Sequence, residues 1–408
     1  MQKTSDMESI RNIYRIGYGP SSSHTMGPKK ASGMFRKRNP GAASYQVTLY
    51  GSLAATGKGH LTDVAIESEF EDKKPEIEWK PKEYLPAHPN AMTFRAYDDA
   101  GSLLDEWTAY SIGGGAIEDD NTSVKKKVVY PFKNMAEILR YCNRNGMHIW
   151  ELVEAYEGEN IWTYLAEVWG VMQDAVKRGL ENEGVLPSHL KLPRKAAAYH
   201  IKANSHIGSI KKRALVFAYA LAVSEENAAG GKIVTAPTCG SSGVMPAVLY
   251  YLKHKHDFSD VKILRALATA GIVGSVVKRN ASISGAEVGC QGEIGTACAM
   301  ASAATTQLFG GTIFQVENSA EMGLEHHLGL TCDPVAGLVQ IPCIERNAFA
   351  AARALNHNAY AMLNDGRHRI SFDKIVDTMQ KTGHDLPSLY KETSAGGLAL
   401  FSGLADDE

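Results

Sequence analysis

Ile161-Trp-Thr-Tyr-Leu-Ala-Glu-Val-Trp-Gly-Val-Met-Gln-Asp-Ala-Val176 decides the fold class of the larger part of this chain. Ile161, Leu165, Val168, Met172 and Val176 recur at three- and four-residue intervals, which puts them on one face of a helix and predicts a buried helical stripe. Gly179 sits near the expected end of that helix. The same period persists downstream. Helices are expected over Ala214 to Val223, Ile263 to Val277, Thr296 to Phe309 and Asn347 to Leu363. A further one carries Phe372, Ile375, Val376 and Met379, with Ser371 as N-cap and Gly383 as stop.

Upstream of Pro131 the period changes to two. Tyr45, Val47 and Leu49 alternate with polar residues, as do Ile77 with Trp79 and Met92 with Phe94 and Ala96, and Leu104 to Ile112 reads as another strand. Pro75, Pro81, Pro86 and Pro89 mark turns, and Gly113-Gly-Gly115 is a turn without the context of a nucleotide site. Before these strands, Ser9 to Gly19 is expected to be a short helix running into a loop. The expectation is a multidomain α+β protein. A small N-terminal α+β domain over 1–131 precedes a larger all-α domain over 132–408, with Lys125 to Lys133 as the linker and no internal repeat.

Composition narrows the function. At 408 residues, 44% hydrophobic and 22% charged, with a net charge of −2, the chain reads as soluble and globular, with no footprint for nucleic acid or an acidic membrane. No signal core or membrane span is evident, and six cysteines are too few for a disulfide scaffold, so a cytoplasmic location is expected.

Three of those cysteines lie close to a Gly or Pro where helices start or stop: Cys290, Cys332 and Cys343. Helix N-terminal dipoles favour thiolates there, and thiolates bind metals. No Cys-x-x-Cys pair occurs, so structural zinc spacings are missing. Three thiolates suit an iron–sulfur cluster with one iron left open as a Lewis acid, while His326-His327 keeps a zinc site open as an alternative. Cys239 is expected to pack in its loop, and Cys142 and Cys298 to be inert thiols on helices.

Two polar segments complete the candidate site. Gly19-Pro-Ser-Ser-Ser-His-Thr-Met-Gly-Pro28 offers hydroxyl and N–H donors at the mouth of a helix, a geometry suited to a carboxylate, and His24 is its proton-transfer group. Glu225-Glu-Asn-Ala-Ala-Gly-Gly231 leads into a glycine-rich loop in which Asn227, Thr235, Thr238, Ser241 and Ser242 are suited to a small polar substrate.

These segments resemble the signature of the iron–sulfur L-serine dehydratases. The matching runs are Gly19 to Pro28, Glu225 to Gly231, Thr235-Ala-Pro-Thr238 and Gly285-Ala-Glu-Val-Gly-Cys-Gln-Gly-Glu293. Leu328-Gly-Leu-Thr-Cys-Asp-Pro-Val-Ala-Gly337, Ile341-Pro-Cys-Ile-Glu-Arg-Asn-Ala348 and Thr393-Ser-Ala-Gly-Gly-Leu-Ala399 follow in the family's order. The resemblance spans nearly the whole chain. It implies a β-type domain fused to an α-type domain, a lyase of amino-acid degradation that feeds gluconeogenesis, and a homodimer. It also implies a 4Fe–4S cluster on Cys290, Cys332 and Cys343 whose free iron binds the serine hydroxyl, with Ser21, Ser22, Ser23, His24 and Thr25 closing over the substrate. His24, Ser23 and Thr25 are then expected in catalysis, and Ser21, Ser22, Asn227, Thr235, Thr238 and Ser241 in substrate binding.

The chain departs from that family in lacking a cysteine at its C-terminus, where Asp406-Asp-Glu408 stand, and in having Ala395 where a basic residue is common. Competing readings are an L-cysteine desulfhydrase, an L-threonine dehydratase, a zinc-containing amino-acid sensor, or a pyridoxal phosphate enzyme using Lys202 or Lys211.

Overall fold

The structure is a computed structural model that describes residues 7–70, 73–119, 128–392 and 396–401. The expectations placed on Lys125-Lys-Lys127, on Thr393-Ser-Ala395 and on Asp406 to Glu408 lie outside the described residues.

Strands β1 (Met7–Glu8) and β2 (Ile16–Tyr18) flank a 3-10 turn at Ile10–Asn12, where a short helix was expected. Helix α1 (Gly27–Arg38) follows, with Pro28 in its first turn, a position at which the missing N–H costs nothing. Next come β3 (Ser44–Tyr50), the short helices α2 (Gly51–Thr56) and α3 (Thr62–Glu67), and β4 (Glu76–Lys80). The sheet is completed by β5 (Ala91–Tyr97), β6 (Leu103–Ser111) and β7 (Ile117–Asp119), in the order β4-β3-β5-β6-β7. Only β3 and β4 run parallel, and α2 and α3 lie in their crossover. Ala31 and Phe35 of α1 and Ile66 of α3 pack with Val47, Leu49, Phe94 and Trp107 to form this layer's core.

Strand β8 (Val128–Tyr130) leads into the helical body: α4 (Met135–Asn145), α5 (Ile149–Glu157), α6 (Asn160–Glu181), α7 (Ala196–Ala203) and α8 (Gly208–Ala228). Strand β9 (Lys232–Val234) precedes α9 (Val244–His256), α10 (Asp260–Asn280), α11 (Gly285–Val288) and α12 (Thr296–Leu308). Helices α13 (Ile313–Glu325), α14 (Cys343–Met362) and α15 (Phe372–Asp385) complete it. Ile161, Leu165, Val168, Met172 and Val176 are all buried. Each such side chain contributes about 1.5–3 kcal/mol of transfer free energy.

Gly179 lies near the end of α6 at Glu181, as expected, and a Cβ there would stand 2.2 Å from Ala222 O, so the glycine lets α6 and α8 approach. Other local expectations are corrected. Gly383 does not stop α15. It lies inside the helix, where a Cβ would meet Val288 at 2.6 Å, and Ser371 at the N-cap position makes no side-chain cap bond. Glu225, Glu226 and Asn227 belong to the last turn of α8 rather than to a loop.

The first residues pack with the helices rather than with the sheet beside them in sequence. Ile10, Ile13 and Tyr14 join the helical core, and Tyr14 Oη donates to Leu267 O at 2.8 Å. Gly271 and Gly274 leave room for them on α10, since a Cβ at either would approach Ile10 or Ile13 within 2.8 and 3.0 Å. β1 pairs with β8 and β2 with β9, so the chain from 7 to 18 ties the sheet layer to the helical body. Among the described residues no helix is long and apolar enough to cross a membrane.

Candidate active site

Cys290, Cys332 and Cys343 line one cavity together with Ser21, Ser22, His60, Glu293 and Glu392. Three local structures bring the sulfurs there. Gly289, at φ +75°, turns the chain out of α11, and Cys290 caps a π turn over Gln291–Gly295 that feeds α12. Cys343 opens α14, whose Asn347 donates to Cys343 O and to Gly240 O and accepts from Gly243 N. Cys332 is held in extended backbone by its N–H to Tyr390 O at 2.8 Å and by a bridge to Lys391. Cys142, Cys239 and Cys298 are buried elsewhere, as expected, and Cys239 Sγ contacts Met26 Sδ at 3.4 Å.

The thiols do not share one protonation behaviour. A hydrogen bond from Cys332 draws Cys290 down to about 6 against the cost of burial, helped by the Arg346 guanidinium. That same bond, with burial added, holds Cys332 well above the ordinary thiol value. Burial and then the Cys290 charge raise Cys343. Arg346 is the countercharge for the set, and its Nη1 also donates to Thr331 O at 2.7 Å.

Across the cavity stands the serine-rich segment. Ser22–Met26 is a π turn capped by Ser21, whose Oγ accepts from His24 N at 3.1 Å. Ser21 and Ser22 face the cavity. His24 does not: it is fully buried behind the wall, with Nδ1 3.2 Å from Glu392 Oε1 and Nε2 3.2 Å from Ser52 Oγ. Ser23 Oγ lies 3.1 Å from His24 Nδ1 and donates to Glu392 Oε1 at 3.2 Å. Thr25 turns inward, donating to His60 O at 2.7 Å and accepting from Ser21 N.

The second polar segment divides. Thr238 Oγ1 donates to Glu293 Oε2 at 2.5 Å, so it touches a wall residue. Asn227, Thr235 and Ser241 bond backbone carbonyls and are not among the residues that line the cavity. Asn227 Nδ2 donates to Pro20 O, Thr235 Oγ1 to Ile13 O, and Ser241 bonds within its own loop. Their hydroxyls and amide satisfy buried carbonyls, a role that sequence pattern does not separate from ligand binding.

Three residues at the cavity were missed as site residues in the sequence. Burial and then the Cys290 charge push the Glu293 carboxyl up to about 8. Burial and the adjacent His24 lower His60 to about 3, and among the described residues its Nδ1 has no hydrogen-bond partner. Burial disfavours charge on Glu392, yet His24, His60 and Ser23 outweigh it and hold that carboxyl below its ordinary value. Glu392 also adopts a left-handed φ of +50°. Glu293 ends one of the quoted motifs and Glu392 stands next to another, but neither spacing marks them as partners.

The histidines of the zinc alternative are elsewhere. His326 Nδ1 lies 3.0 Å from His357 Nε2 beside a separate groove, and His327 bonds Gly323 O and Arg353. Lys202 and Lys211, on α7 and α8, do not line the cavity either.

A sulfur-lined cavity thus lies between a sheet layer and an all-helical body, closed by hydroxyls, carboxyls and an imidazole. Comparison with known proteins agrees with this architecture. Residues 9–77 and 67–122 match the family described as serine dehydratase beta chain, and residues 95–399 match serine dehydratase alpha chain. Named L-serine dehydratase, the relative from Streptomyces coelicolor is 42% identical over 96% of this chain and 98% of its own. Relatives of that name from Haemophilus influenzae and Helicobacter pylori are 40% and 38% identical, each covering at least 96% of this chain and 98% of their own. The chain belongs to the serine dehydratase family, with the beta and alpha chains of that family fused in one polypeptide.

Proposed function

We propose that this protein is an L-serine ammonia-lyase of cytoplasmic amino-acid degradation, converting L-serine to pyruvate and ammonia with a 4Fe–4S cluster on Cys290, Cys332 and Cys343. The observation that carries this reading is the single cavity where those sulfurs meet Ser21, Ser22, His60, Glu293 and Glu392. Relatives named for the same reaction support it.

The residues present fit the cluster. Three cysteine sulfurs line one cavity, and thiolates are the donors that hold iron–sulfur clusters. Gly285 keeps the wall beside Cys332 open, because a Cβ there would stand 2.9 Å from Cys332 Sγ and 2.5 Å from Glu293 Oε1. When bound, such a cluster supplies a Lewis-acidic iron without a cysteine ligand, which makes hydroxide a better leaving group.

The chain's own residues supply the proton transfers. Ser21 and Ser22 bind the substrate carboxylate by hydroxyl donation. His60 takes the α-proton on its unpartnered Nδ1, and the neighbouring Glu392 charge stabilises the imidazolium. Glu293, protonated at neutral pH, gives its proton to the departing hydroxyl, so that water leaves as the C–O bond breaks. The aminoacrylate product tautomerises to an imine and hydrolyses to pyruvate and ammonium. His24, Ser23 and Thr25 act as positioning residues: the first two orient Glu392, and the third fixes the turn that carries Ser21. A homodimer is the assembly proposed, and exposed Phe349 and Tyr360 on α14 offer apolar surface for it.

Anaerobic reconstitution with iron and sulfide, followed by pyruvate assays on L-serine and parallel assays on L-threonine and L-cysteine, tests the proposal. Cluster absorbance with turnover highest on serine is expected. Cluster-loaded protein that leaves serine untouched, or that prefers cysteine, overturns it.

A further inference from the structure

A second, open groove runs between α1 and the helical body on the outer side of the Ser22–Met26 turn. Its walls carry four cations, Arg15, Lys29, Lys30 and Lys37, against two carboxylates, Glu69 and Glu167. Glu69 is engaged by Lys29 at 3.5 Å. Arg15 bonds Gly114 O and Asn12 Oδ1, and among the described residues no carboxylate comes within ion-pair distance of Arg15, Lys30 or Lys37. Arg15 is partly buried, which lowers it, and the Glu8 charge opposes that shift without an ion pair to Arg15. The two bodies also press like charges together. Lys30, from α1, lies below the ordinary lysine value through burial and then through repulsion by Arg15, which comes from the chain packed on the helical body. Arg15 and Lys30 thus bring like charge together across the junction.

We propose that this groove binds a small phosphate-class dianion, either inorganic phosphate or the phosphate group of a monoester, bridging Arg15 to Lys30 and Lys37. Guanidinium and ammonium donors around an oxyanion form charge-assisted hydrogen bonds, and the anion removes the Arg15–Lys30 repulsion. The site is separate from the cysteine cavity but shares a wall with it. Thr25 and Met26 line the groove, and Thr25 holds the backbone of Ser21 and His60. A dianion there ties α1 to the helical body beside the turn that presents the serines.

Isothermal calorimetry on the full chain at low ionic strength, with inorganic phosphate and with glycerol phosphate as separate titrants, tests the site. Saturation at one anion per chain is expected for at least one titrant, and the tighter of the two identifies the source. Lys30→Gln and Lys37→Gln, both at exposed helix positions, each weaken that binding about tenfold or more. Lys255→Gln on α9 leaves it unchanged. Absence of saturation by either anion overturns the proposal, and so does equal binding by the lysine variants and the parent.

Discussion

Glu392 Oε1 lies 3.2 Å from His24 Nδ1, joining the C-terminal segment to the serine-rich turn near the start of the chain. The His24 side chain is fully buried and that of Glu392 is 13% exposed, so neither can exchange its partner for bulk water. The contact closes one wall of the cavity and fixes a carboxylate there.

Removing one member of a buried pair strands the other, which typically costs about 3–5 kcal/mol. Glu392→Ala is therefore expected to destabilise the fold by about 3 kcal/mol or more, and Glu392→Gln by less because an amide still hydrogen-bonds. Denaturant midpoints for Glu392→Ala, His24→Ala and the double variant measure the coupling; strictly additive losses would show that the pair contributes nothing. The folded-state carboxyl is depressed, so its contribution is present above the unfolded carboxylate range and is lost as pH falls through the lower folded value.

The six cysteines should separate into two groups. Cys290→Ser, Cys332→Ser and Cys343→Ser are each expected to abolish cluster iron, visible absorbance and pyruvate formation. Cys142→Ser, Cys239→Ser and Cys298→Ser retain all three, at a stability cost of about 1 kcal/mol for a polar group placed among apolar neighbours. Iron and acid-labile sulfide per chain after anaerobic reconstitution provide the check.

Two glycines are required by space. Gly383→Ala forces a Cβ to within 2.6 Å of Val288, and an overpacking loss of about 1–3 kcal/mol is expected where a helical Gly→Ala would otherwise stabilise. Gly285→Ala crowds Cys332 Sγ and Glu293 Oε1, and should lower cluster occupancy more than it lowers the melting temperature. Melting curves and iron content of both variants distinguish the two effects.

Acid should weaken the fold well above the carboxylate range. Burial is the leading cause that holds His60 and His357 near 3 and His327 near 4, against 6.5 for a free imidazole. Each therefore stays neutral when folded but binds a proton when unfolded, so stability falls as pH drops below 6.5 by up to about 1.4 kcal/mol per pH unit for each histidine. His357→Asn should flatten that slope by one histidine's worth in denaturation series between these limits. On the alkaline side, Glu317 raises His368 to about 9, so its contribution is full below 6.5 and is lost as pH rises through about 9.

Much of the scaffold follows from local pattern. The period-two runs at Tyr45, Ile77, Met92 and Leu104 are strands, and the stripe from Ile161 to Val176 is a buried helix face. Side chains alternate or spiral by backbone geometry alone, so such patterns survive without knowledge of the partners. Local rules fail where packing overrides them. Gly383 has the composition of a stop but serves a close approach, and Ile10 to Tyr14 are drawn into the helical core by the space on α10.

The candidate site divides in the same way. Cys290, Cys332 and Cys343, with the serine-rich turn, are legible in the sequence because soft ligands and hydroxyl donors beside Gly and Pro have few structural uses. His60, Glu293 and Glu392 are not, because single ionisable residues gain a role only from what burial places against them. Asn227, Thr235 and Ser241 look the same in sequence as ligand-binding residues, yet tertiary contacts turn them toward backbone carbonyls. The sequence by itself determined the chemistry available, in its thiols, hydroxyls and helical and strand periods. Only the tertiary structure decided which of those groups face one cavity, because direction and protonation depend on neighbours supplied by distant parts of the chain.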